Sequence, residues 1–97
     1  MSFRRLGEIL PHTLEGMGLL QRVRAARVLL AWPRAAGRAA PELVGSAEAV
    51  DLQGGVLRVR IRDGRLAGLL ERVSPEIVRA LNAEVGESAV ERVVRVW

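Results

Sequence analysis

The stretch that decides the fold is DLQGGVLRVRIR, residues 51–62. Its two adjacent glycines, Gly54 and Gly55, indicate a two-residue hairpin turn, because glycine readily supplies the positive φ angles that a type I′ turn requires. After the turn, apolar residues alternate with arginine over residues 56–62, which is the period of a β-strand with one buried face. The stretch therefore predicts an antiparallel hairpin whose outer face is basic.

A two-residue turn also predicts the register of the hairpin. Its first strand falls within residues 43–53 and is strongest from Ala47 onward. The predicted cross-strand pairs are Leu52–Leu57, Asp51–Arg58, Val50–Val59, Ala49–Arg60 and Ala47–Arg62.

A long helix follows the hairpin at residues 64–85. Its apolar residues keep one helical phase throughout, namely Leu66, Leu70, Val73, Ile77, Leu81 and Val85. Ser74 and Pro75 resemble a helix start, but the unbroken phase predicts one helix that is kinked or briefly broken there. Gly86 is a typical residue to end it. A last strand is predicted at residues 89–97, with Val90, Val94 and Val96 on one face and parallel to residues 56–62.

Before the hairpin, the sequence predicts a helix from Leu19 that Pro33 kinks and Pro41 ends. Its apolar positions at three-to-four spacing are Leu19, Val23, Ala26 and Leu30. A weaker helix is predicted at residues 3–14. We therefore expect one α+β (α/β) domain over residues 1–97, in the order α-α-β-β-α-β, with helices covering one face of a three-stranded sheet.

All 15 basic residues of the 97-residue chain are arginines, and the net charge is +4 with a pI of about 11.4. Codon bias or heat adaptation explains this composition, and so does phosphate recognition by guanidinium groups. The absence of cysteine excludes disulfides and thiolate metal sites. Neither a signal peptide nor a membrane-spanning run is evident, so a cytoplasmic protein is expected.

Several spaced positions form a pattern that extends over most of the chain: Trp32, Gly37-Arg38-Ala39-Ala40, the hairpin residues 55–59, Leu69-Leu70, Ala80-Leu81-Asn82 and Gly86. Together they resemble the DciA family of bacterial replicative-helicase loaders. The resemblance covers residues 19–96. It implies a KH-like fold and a non-enzymatic role in which the protein binds a DnaB-type helicase and helps to place it on single-stranded DNA.

The chain departs from the family where a tryptophan often follows the second strand, since Leu66 stands there, and it lacks the long tail that many members carry. Two other functions stay open. One is a structural or regulatory protein-interaction module, such as a homodimer, with inert arginines. The other is an RNA-binding module of the KH kind, although the Gly-x-x-Gly loop of that fold is absent.

The candidate nucleic-acid-binding residues form two sets of arginines. Arg58, Arg60 and Arg62 form the basic face of the second strand, and Arg24, Arg27, Arg34 and Arg38 share one side of the helix before the hairpin. Each set has two interpretations. One is a basic surface that contacts a phosphate backbone. The other is an ordinary solvated face of a strand or helix, in which Arg58 is already paired with Asp51. With few aromatic residues, DNA binding should be weak, independent of sequence and sensitive to salt.

No residue pattern predicts catalysis, a metal or another cofactor. His12 is the lone histidine and has no neighbouring set of ligands. Glu8 with Glu15, and Glu84 with Glu87, are interpreted as solvated acids. No Gly-Lys-Ser/Thr phosphate loop is present, so the chain is not expected to hydrolyse ATP. Trp32 is predicted to lie in the core.

Overall fold

The structure is a computed structural model, and it describes residues 18–96. Its elements are α1 (Leu19–Ala39), a 3-10 turn (Pro41–Leu43), β1 (Ala47–Gln53), β2 (Val56–Ile61), a 3-10 turn (Gly64–Leu66), α2 (Ala67–Val85) and β3 (Arg92–Val96). These elements form an α+β fold that is compatible with the predicted order. The helix predicted at residues 3–14 lies outside the described residues.

The sheet has the order β1-β2-β3, with β1 antiparallel and β3 parallel to β2. Gly54 and Gly55 form the predicted turn, and both have positive φ angles, 56° and 80°. The parallel direction of β3 is also confirmed. It follows because α2 carries the chain back across the sheet between the two strands.

The predicted hairpin register is correct near the turn and wrong beyond it. Leu52–Leu57 and Asp51–Arg58 pair as expected, but the register shifts between Ala49 and Asp51. Val50 is the extra residue of a β-bulge, so the other three predicted pairs do not form. The pairs observed there are Ala49–Val59, Glu48–Arg60 and Ala47–Ile61. The first strand also starts at Ala47 and not at Leu43, which belongs to the 3-10 turn after Pro41.

Helix α2 is a single helix, as the apolar phase predicted, but it begins at Ala67 after a 3-10 turn and has no break at Ser74 and Pro75. The Ser74 hydroxyl donates a hydrogen bond to the carbonyl oxygen of Leu70 (2.7 Å), so Ser74 bonds back into the preceding turn and does not start a new helix. Leu70, Ile77, Leu81 and Val85 are buried, and Gly86 ends the helix with φ 77°.

The predicted apolar face of α1 is wrong. Leu30 is 82% exposed and Val23 is exposed as well, whereas the buried residues of this helix are Ala25, Val28, Trp32, Ala35 and Ala36. The helix carries two apolar stripes, and the stripe with the smaller side chains faces the core because alanines let a helix approach its neighbours closely. Trp32 fills the remaining space, as predicted, with 4% of its surface exposed.

The end of the chain also differs from the prediction. Val90 is buried, but it lies before β3 begins. The Asn82 side chain makes two hydrogen bonds to its backbone: Nδ2 donates to the Val90 carbonyl oxygen (2.9 Å), and the Val90 N–H donates to Oδ1 (2.8 Å). Within β3, Val93 packs against the core. Val94 and Val96 therefore lie on the opposite face of the sheet, because side chains alternate along a strand.

Candidate nucleic-acid interface

The face of the sheet opposite the helices, here called the open face, carries the β2 arginines. Leu57 and Val59 are buried in the core, so the alternating Arg58 and Arg60 point away from it, and both are exposed. The parallel register pairs Val56 with Arg92 of β3, which puts Arg92 on the open face too. Sequence analysis missed Arg92 as a candidate, because its place beside β2 depends on the pairing of strands distant in sequence.

Arg58 is held by a buried carboxylate. Its Nη1 lies 2.9 Å from Asp51 Oδ2, and the Asp51 side chain is 5% exposed. Asp51 Oδ1 is buried without a hydrogen-bond partner. Arg58 therefore supplies the counter-charge of a buried carboxylate whose second oxygen has no hydrogen-bond partner. This role of Arg58 is structural.

Arg60 and Arg62 are held less firmly than Arg58. Arg60 Nη1 lies 3.4 Å from Glu48 Oε1, and both side chains are about half exposed, so this pair contributes only about 0–1 kcal/mol. The bulge at Val50 creates it by moving Glu48 opposite Arg60. Arg62 follows β2, and its backbone N–H donates to the carbonyl oxygen of Ser46 (2.8 Å). Its side chain is exposed and has no ion pair to any of residues 18–96.

Three members of the α1 arginine stripe (Arg24, Arg27, Arg34 and Arg38) contact the C-terminal end of α2 or the residues just after it. Arg24 pairs with Glu87, and Arg34 Nη1 lies 3.3 Å from Glu84 Oε1. Arg27 Nη2 donates to the carbonyl oxygen of Val85 (3.0 Å), where the helix dipole is negative. Glu84 and Glu87, interpreted from sequence as solvated acids, thus neutralise part of the stripe. Arg38 is exposed at the end of α1.

The two arginine sets do not form one groove. Helix α1 packs on the face of the sheet that Leu57 and Val59 occupy, while Arg58 and Arg60 lie on the other face. The connection between α1 and β1, residues 40–46, links the two sets. Arg38 lies just before this connection, and the backbone N–H of Arg62 donates to the carbonyl oxygen of Ser46 within it.

An exposed ion pair fixes the chain between β2 and α2. Asp63 accepts hydrogen bonds from Arg65 Nη2 (2.9 Å), Nε (3.1 Å) and the backbone N–H (3.0 Å). The side-chain hydrogen bonds from Arg65 lower the pKa of Asp63 below its ordinary value, and the same contact raises the pKa of Arg65. The pair stabilises the start of the 3-10 turn, so its role is structural.

Helix α1 also presents an apolar stripe to the outside, made of Leu20, Val23 and Leu30. Leu20 is 80% exposed and Leu30 82% exposed. A cluster of large exposed apolar side chains on one helix face is typical of a protein-binding surface. Beside it, a shallow groove of about 470 Å³ lies between α1 and the end of α2 and is lined by Leu30, Arg27, Arg34 and Glu84.

Within residues 18–96, no cluster of histidine and acidic side chains could hold a metal ion, and no helix there is long and apolar enough to cross a membrane. His12 and Trp97 lie outside the described residues. Trp32 is buried, so it is not available to stack on a base.

These features define a small α+β domain with two basic surfaces and an exposed apolar helix face. Comparison with protein families matches residues 5–94 to the family described as "Dna[CI] antecedent, DciA". The match covers nearly the whole chain, and the chain belongs to the DciA family, a family of replication factors associated with the DnaB helicase. The resemblance noted in the sequence is thereby confirmed. A comparison with curated proteins found no match.

Proposed function

We propose that this protein binds a DnaB-type replicative helicase and, weakly and without sequence preference, single-stranded DNA, and that it thereby assists helicase loading. The observation that carries the proposal is membership of the DciA family over residues 5–94. The protein acts without hydrolysing a nucleotide itself, since its sequence contains no phosphate-binding loop.

The helicase contact is assigned to the α1 apolar stripe of Leu20, Val23 and Leu30. Exposed leucines are removed from water when a partner covers them, which contributes about 25 cal/mol per Å² of buried apolar surface. The flanking Arg27 and Arg34 add polar contacts at the rim, which direct the orientation of a partner more than they strengthen its binding.

The DNA contact is assigned to the open face, with Arg60 and Arg62 as the main residues. A phosphate can displace Glu48 from Arg60 at little cost, because their ion pair is half exposed. Arg92 extends the same surface onto β3. The α1 arginine stripe is the weaker candidate, because α2 and the residues just after it already supply carboxylates or a carbonyl oxygen to three of its four members.

Binding to fluorescent single-stranded DNA over a range of salt concentrations tests this assignment. We expect affinity to fall steeply with salt. We expect Arg60→Ala/Arg62→Ala to reduce the log–log salt slope by about 1.4, because each phosphate that an arginine neutralises on a single strand accounts for about 0.7 of that slope. The same measurement on Arg27→Ala/Arg34→Ala shows how much the α1 arginine stripe contributes to DNA binding.

Arg72→Ala/Arg79→Ala is the matched control, since it removes the same charge from the exposed side of α2. If this control lowers the slope as much as Arg60→Ala/Arg62→Ala, binding depends on net charge alone and the assignment to the open face is wrong. If the wild type does not bind at low salt, the protein is an interaction module without nucleic-acid binding. A clear preference for RNA would instead support the KH-type alternative.

A further inference from the structure

Three kinds of side chain lie side by side on the open face. Residues that pair across neighbouring strands point to the same face of a sheet. The two registers therefore produce two rows across β1, β2 and β3, each in the order acid, arginine, valine. The rows are Glu48, Arg60 and Val96, and Asp51, Arg58 and Val94. The arginines thus have carboxylates on one side and an apolar surface on the other.

The apolar side of these rows is accessible to a ligand. Val94 and Val96 are partly exposed, in contrast to Leu57 and Val59, which are buried on the other face of the sheet. Removing apolar surface from water is favourable, so a ligand that covers this face needs negative charge and an apolar part close together. A nucleotide has both, because it carries one phosphate and one base with a flat face that stacks on other groups.

The spacing of the arginines favours an extended strand. Alternate residues of a β-strand, such as Arg58 and Arg60, are about 6.6 Å apart, at about 3.3 Å per residue. One strand of a DNA duplex advances only about 3.4 Å per nucleotide. A strand whose successive phosphates contact successive arginines is therefore stretched to about twice that rise, and its bases no longer stack on each other. A single strand can adopt this form, whereas a duplex keeps its bases paired and stacked inside.

We propose that Val94 and Val96 form an apolar platform that binds the bases of an extended single strand of nucleic acid, while Arg60 and Arg62 contact its phosphates. The bases lie on the β3 side, because the other side of the arginines carries the β1 carboxylates. Contact through the flat faces of bases tolerates any sequence. This inference rests on the DNA binding proposed above and adds that bases, and not only phosphates, contribute to affinity.

Three fluorescein-labelled probes test the platform by fluorescence anisotropy with the intact protein at low salt. They are a twelve-nucleotide thymidine strand, a strand of abasic sites with the same phosphates, and a polyglutamate peptide of the same charge. We expect the thymidine strand to bind at least about 5-fold more tightly than either of the others, because only this probe places bases on the valines.

A conservative double variant separates bases from phosphates. Val94→Thr/Val96→Thr keeps the branched shape and the charge of the platform but replaces one methyl of each side chain with a hydroxyl. We expect it to weaken binding of the thymidine strand about 3-fold, because less apolar surface is removed from water. The log–log salt slope should stay unchanged, because no phosphate contact is lost.

A second variant should strengthen the platform. Val94→Trp is expected to tighten binding of the thymidine strand at least about 5-fold, because an aromatic side chain stacks on a base, and to leave binding of the abasic strand unchanged. Val23→Trp, at an exposed valine of α1 on the other side of the sheet, is the matched control and should change neither. Circular dichroism confirms that each variant is folded.

Equal affinity for the thymidine and abasic strands would overturn the inference and leave the DNA contact itself intact. Equal affinity for the polyglutamate peptide would also overturn it and make an acidic protein segment the occupant. A Val94→Trp protein that binds no more tightly than the wild type, or a Val23→Trp protein that gains as much, would have the same consequence. If no strand binds even at low salt, the DNA contact proposed above is wrong, and this inference is wrong with it.

Discussion

Replacing Trp32 with alanine is expected to lower the free energy of unfolding by about 3–5 kcal/mol, the largest effect that we expect for a single substitution. The indole is almost fully buried in the core, and its Nε1 donates to the carbonyl oxygen of Ala47 (3.2 Å). The substitution therefore removes both apolar contacts and a bond between α1 and β1. In thermal unfolding the midpoint should fall by about 15 °C or more for a domain of this size.

Two controls make the Trp32 result specific. Trp32→Phe keeps an aromatic ring but leaves the Ala47 carbonyl oxygen without its donor, so it should cost about 1–3 kcal/mol. Leu30→Ala, on the exposed side of the same helix, should change stability by less than about 0.5 kcal/mol. A larger loss of unfolding free energy for Leu30→Ala than for Trp32→Ala would mean that the Leu30 side of α1, and not the Trp32 side, faces the core.

The second large effect is expected for Arg58→Ala, which should cost about 2–3 kcal/mol because it leaves the buried Asp51 carboxylate without its counter-charge. The expected cost lies below that for a fully buried pair, since Arg58 itself is partly exposed. Urea unfolding, with the midpoint and slope both measured, determines it.

A double variant tests the mechanism of this effect. Arg58→Ala/Asp51→Ala removes the buried charge together with its partner and should be more stable than Arg58→Ala alone. Arg60→Ala, which breaks only the exposed pair with Glu48, should stay within about 0.5 kcal/mol of the wild type. A stable Arg58→Ala protein that no longer binds DNA would instead make Arg58 a DNA-binding residue.

The sequence predicted best the elements that local rules determine. Gly54 and Gly55 supply the positive φ angles that a two-residue turn requires, and one apolar phase connects Leu66 to Val85 across Pro75. The parallel direction of β3 followed from the length of the helix before it. The turn and the helix depend on residues close together in sequence, and the strand direction depends only on the kind of element that connects the two strands.

The parts that were missed depend on tertiary packing. Nothing local distinguishes Val50 as a bulge, and that single extra residue changed the partner of Arg60 from Ala49 to Glu48. Similarly, α1 has two apolar stripes, and only the shape of the core selects Ala25 and Val28 over Leu30.

The sequence predicted which arginines form the candidate site but not which residues surround them. The sequence placed Arg58 and Arg60 on one face and paired Arg58 with Asp51, as observed. It could not show that Glu84 and Glu87 meet the α1 arginine stripe, because the contact joins the end of α2 to the side of α1. Nor could it place Arg92 beside β2.

The central claim is helicase binding, and analytical ultracentrifugation of this protein with the DnaB-type hexamer of the same organism tests it most directly. The account predicts a complex at micromolar concentrations that Leu30→Asp weakens at least about 10-fold, since a carboxylate in the buried centre of an interface lacks a partner. Val44→Asp, at another exposed apolar residue, is the matched control and should leave the complex intact. Absence of any complex with the wild-type protein would contradict the claim, and equal binding by Leu30→Asp would exclude the α1 apolar stripe as the contact.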